Sequence, residues 1–67
     1  MYEVVNHKHG RRAVVDEAPT DKYEYRLVMY QDGLSIAVKF GENRHDLEWF
    51  ADKFIREGKV VWLKKYK

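Results

Sequence analysis

The sequence predicts an α+β fold. It is a small, mostly antiparallel sheet of four or five strands, with one helix of residues 44 to 57 packed on one face, in the order β-β-β-β-α-β. Three observations predict it. Tyr25, Leu27 and Met29 alternate along one run, and Leu34, Ile36, Val38 and Phe40 alternate along the next, with Asp32-Gly33 between them. Leu47, Phe50, Ala51, Phe54 and Ile55 recur at helical spacing. Val60-Val61-Trp62-Leu63 is short, β-branched and aromatic, which reads as a covered strand.

The N-terminal hairpin is expected over residues 2 to 16. Tyr2 to Asn6 and Ala13 to Asp16 form its strands, and Lys8-His9-Gly10 forms its turn. Ala18-Pro19-Thr20-Asp21 is a linker-like stretch too short to separate domains, so residues 1 to 67 are read as one domain.

The second hairpin spans residues 23 to 40. A two-residue Asp-Gly loop favours a type I′ turn, because both central residues need positive φ. That turn sets Gln31 against Leu34, Met29 against Ile36, Leu27 against Val38 and Tyr25 against Phe40 on one face. The opposite face carries Tyr30 with Ser35, Val28 with Ala37 and Arg26 with Lys39, and is half apolar.

Asn43 suits the N-cap of the helix, because its side chain can accept from a free N–H of the first turn. Gly58 suits the stop, as the left-handed residue that ends many helices. The helix stripe is expected to cover the hairpin's apolar face, so that Phe50→Ala would cost about 3–5 kcal/mol. Residues 60 to 66 are the expected last strand, with the helix as its crossover.

Composition narrows the function classes. The chain has 67 residues, no Cys, 45% hydrophobic and 15% aromatic residues, as a folded domain without disulfides or thiolate metal sites does. No apolar run approaches the roughly 20 residues of a membrane span, and no signal-peptide pattern is read. A soluble, cytoplasmic protein without membrane contact is the expectation. Near the lower size limit for an unstapled core, dimerisation is a reasonable way to cover spare apolar surface.

Catalysis is not expected. Ser35 and Thr20 sit in no nucleophile motif, the glycines fit turns and caps, and the acids are scattered. His7, His9 and His45 are the only imidazoles from which a three-nitrogen metal site could be built. Solvation near a turn and a helix start explains them more simply. No metal and no cofactor is expected.

The net charge is only +2, but it is uneven. Residues 7 to 12 and 59 to 67 carry bases and no acid, whereas residues 13 to 58 carry a net of −4. Lys8, Arg11 and Arg12 flank the first turn; Lys64 and Lys65 follow the last apolar run, with Tyr66 beside them. Cations attract phosphates and an aromatic ring can stack on an unpaired base, so nucleic acid is the leading expected partner.

The second expectation is a protein-interaction module: a homodimer, or a small adaptor of the kind seen in virus-encoded inhibitors. It rests on Trp49, with His45 and Arg56 on the same polar helix face, and on the half-apolar sheet face. In outline, a small sheet with one helix resembles the DNA-binding arms of recombinases as well as such inhibitors.

Overall fold

A computed structural model describes residues 1–62. Four strands form one antiparallel sheet in sequence order: β1 (Tyr2–Asn6), β2 (Arg11–Glu17), β3 (Tyr25–Gln31) and β4 (Leu34–Gly41). The helix α1 (Arg44–Glu57) crosses one face of that sheet. The predicted α+β class, and the order of four strands followed by a helix, are those observed.

Turn chemistry explains the two hairpins. Between β1 and β2, His7–His9 make one turn of 3-10 helix, capped by the Asn6 side chain and closed by Gly10 at φ 68°. Arg11 and Arg12 therefore lie inside β2 rather than in the loop. Between β3 and β4, Asp32 and Gly33 both have positive φ, at 54° and 87°, as a type I′ turn requires.

The β3–β4 register departs from expectation after two rungs. Gln31 faces Leu34 and Tyr30 faces Ser35 as the turn dictates. A bulge between Met29 and Tyr30 then shifts the ladder by one. Leu27 consequently faces Lys39, not Val38, and Met29 faces Ala37, not Ile36.

The shift sends the larger apolar residues of β4 out of the core. Val38 and Ile36 are 46% and 45% exposed, while Leu27 and Met29 are fully buried. The helix supplies the physical reason. A Cβ on Gly41 would stand 3.5 Å from a Leu47 methyl. Ala37 and Gly41 leave room for that approach, and the bulkier Val38 and Phe40 do not.

Asn43 caps α1 as expected, accepting from the N–H groups of His45 and Asp46 at 2.9 and 3.4 Å. Gly58 ends it in the left-handed conformation, its N–H donating to the Phe54 carbonyl. Leu47, Ala51 and Phe54 pack with Ala13, Val15, Leu27, Met29 and Val60 to form the core. Phe50 and Ile55 flank it, half-buried.

The expected last strand is corrected in its first part. Val60 drops into the core, but Val61 and Trp62 form a turn, not a strand. Residues 63 to 66 of that strand lie outside the described residues. No helix among the described residues is long and apolar enough to cross a membrane.

Candidate functional site: the open face of the sheet

Alternation along the strands divides the sheet into two faces. One carries the core under α1. The other runs across all four strands and has no element over it among the described residues. The registers place Val5 beside Arg12, Val14 beside Val28, and Val28 in turn beside Val38. Arg26 sits between Asp16 and Phe40. Tyr30 lies beside Arg12.

The centre of this face is aliphatic and its margins are aromatic or charged. Val14 and Val28 are half-buried by their neighbours; Val5, Val38 and Phe40 are exposed. Tyr23 stacks on Phe40 with ring centroids 5.7 Å apart. The Arg12 guanidinium lies 4.8 Å from the Tyr30 ring centroid and donates to Glu3 at 2.6 Å. That bond to Glu3 holds the Arg12 pKa above its ordinary value. The charged members of the face are two acids, Glu3 and Asp16, and two bases, Arg12 and Arg26, so the face is electrically balanced.

The residues expected at a nucleic-acid site fall in different surroundings. Lys8 is exposed in the first turn, between His7 and His9. Arg11 is half-buried on the helix side, where its Nη1 donates to the Ile55 carbonyl at 3.2 Å. Asn6 donates to the same carbonyl at 3.0 Å. These two side chains satisfy the open end of α1, a common use of cations near a helix C-terminus. Arg12 points to the opposite face and is paired with Glu3. The first basic cluster is thus split by strand alternation, with only Lys8 left on the turn. Lys64, Lys65 and Tyr66 lie outside the described residues.

The helix residues named for a protein contact do share one exposed face. His45, Trp49 and Arg56 are all exposed, and Trp49 is 54% accessible. One edge of its indole rests on Phe50 at 5.3 Å between centroids. Phe50 in turn meets Trp62 at 5.2 Å, and the Lys39 ammonium sits over both rings at 5.4 and 5.3 Å.

Between the end of β4 and the start of α1 lies a groove of about 320 Å³. It is lined by Tyr23, Lys39, Phe40, Glu42, Asp46 and Phe50, among others, and by no Ser, Thr or His. His45 stands in the first helical turn, whereas His7 and His9 stand beside the last. With 14 residues, α1 spans about 21 Å between them. No group of three metal-ligating side chains converges among the described residues.

Val5 and Val14 are contact candidates that the sequence did not single out, whereas Val28 belongs to the half-apolar face that it did. The signal was present: Glu3 and Val5, and then Arg12, Val14 and Asp16, alternate with core residues. Compared with protein-family models, with curated proteins and with solved structures, the chain matches none.

Proposed function

We propose that this chain is a non-catalytic protein-interaction module whose contact surface is the open face of the sheet. One observation carries the reading: Val14, Val28 and Val38 form an apolar row across β2, β3 and β4, flanked by Val5, Tyr30 and Phe40, with no covering element among the described residues. A contiguous apolar patch of this kind marks contact sites far more often than scattered exposed residues do. Its composition also suits a protein partner. An aliphatic centre edged by Tyr30, Tyr23, Phe40 and Arg12 matches the core-and-rim anatomy of interfaces.

Nucleic acid ranks second for an electrostatic reason. Phosphate binding draws on an excess of cations, and the charges of the open face cancel.

A photo-crosslinking amino acid placed at Val14, at the centre of the face, tests the reading. The expected result is a covalent adduct with protein in cells that make the variant, and much less adduct from the same group at Lys53 on the helix. Adducts from Lys53 or Trp49 but not from Val14 would overturn it. So would tight, salt-sensitive binding of labelled DNA or RNA that Arg12→Ala abolishes.

A further inference from the structure

We infer that a second copy of the chain joins this one through the outer edge of β4, which doubles the open face rather than covering it. This inference goes beyond the open face as a contact surface and stands or falls separately from it. Two four-stranded sheets would then continue as one, with their open faces side by side.

The two edges of the sheet differ in kind. The β1 edge has five residues, and Glu3 on it is tied to Arg12. The β4 edge has eight residues, Leu34–Gly41, with no Pro and one charge, Lys39. Unpaired backbone N–H and C=O groups along such an edge are a template for another strand. Proteins usually guard it with a projecting lysine, a proline or a bulge. Here the bulge lies near the turn, leaving residues 37 to 41 in regular pairing with β3. Lys39, the one cation, leans back over the Phe50 and Trp62 rings of its own chain. Among the described residues nothing pairs with this edge.

The strand is complementary to itself, which points to a second copy rather than to an unrelated strand. Antiparallel pairing about a two-fold axis through Val38 sets Val38 against Val38. In the regular part of the strand it also sets Ala37 against Lys39, and it brings the bulged Ile36 toward Phe40. Large residues meet large ones, Ala37 meets a lysine stem, and the two lysines stay apart. Directly opposed like charges destabilise a strand pair, so pairing centred on Lys39 is disfavoured. Around Val38 the apolar row of one open face runs on into the other.

The chain has no Cys, so single-cysteine variants read the register without background. Directly opposed residues of antiparallel strands have Cα atoms about 4.5–5.5 Å apart, within disulfide range. Val38→Cys faces its own copy and Leu34→Cys does not, although Leu34 is the more exposed, at 71% against 46%. The expected result is disulfide dimer from Val38→Cys about tenfold faster than from Leu34→Cys. Faster oxidation of Leu34→Cys would overturn the inference.

A charge swap gives an independent reading. Val38→Glu and Val38→Lys, each alone, should remain at 8.1 kDa by light scattering, while an equal mixture doubles in mass. Circular dichroism confirms that both variants fold. Wild-type protein that stays at 8.1 kDa up to high concentration would also overturn it. A Val14 adduct with some other protein, beside a monomeric wild type, would leave the contact face standing and remove only the second copy.

Discussion

At the scale of single residues, two side chains show how position decides role. The Tyr2 hydroxyl donates to Asp52 at 2.7 Å, tying β1 to the middle of α1. That bond, then burial and the charges of Asp52 and Glu48, raises the Tyr2 pKa above its ordinary value of 10.0. The folded state therefore holds the phenolic proton more tightly than the unfolded chain. The stabilisation is full below pH 10.0 and is lost as pH rises through the elevated folded value. Tyr2→Phe should cost about 1 kcal/mol at neutral pH and flatten the fall in stability on the alkaline side. Urea midpoints measured from neutral pH upward check both parts. Trp49 is the opposite case, because its indole gains little from the folded monomer. Trp49→Ala should change stability by no more than about 0.5 kcal/mol and remove the more solvent-exposed tryptophan from the emission spectrum. A loss of several kcal/mol would mean that the ring supports Phe50 and the core.

At the scale of elements, the helix shows a difference between periodicity and burial. Leu47, Phe50, Ala51, Phe54 and Ile55 all fall on the apolar side, but only Leu47, Ala51 and Phe54 are buried. The stripe is wider than the contact, because β4 turns its small residues toward the helix and leaves Phe50 at the margin with Trp62 and Lys39. Phe54→Ala should therefore be the damaging change, costing about 3–5 kcal/mol, enough to unfold much of a domain this small. Phe50→Ala, expected from the sequence to be equally severe, should cost clearly less. Denaturant melts of the two variants side by side give the order directly.

At the scale of the whole molecule, the sheet is unevenly protected. β2 and β3 have a strand on each side and the helix above, whereas β1 and β4 are edges. The slowest amide exchange should lie in β2 and β3, with β4 faster in dilute solution. If β4 joins a second copy, its outward-facing amides alone should slow as concentration rises. Protection of those amides that does not vary with concentration would mean that the edge is covered within the monomer.

Much of the fold was determined by sequence alone, because its signals are local. Asp32-Gly33 names a turn by its φ requirement; Asn43 and Gly58 mark the helix ends through single backbone groups. Alternation marks β1 to β4. The residues for contact were only partly legible. Trp49, His45 and Arg56 come from helical spacing and do share an exposed face, but the basic pair Arg11 and Arg12 was read as one cluster and lies on two faces. Tertiary structure alone decided which side of β4 meets the helix. The turn sets the first rungs of the ladder, and one bulge then moves every later side chain to the other face. Nothing in β4 itself announces that bulge. It sets Gly41 against Leu47, a contact between residues on different elements. Because of it, Val38 and Phe40 face outward, and a strand that reads as core becomes part of the open face.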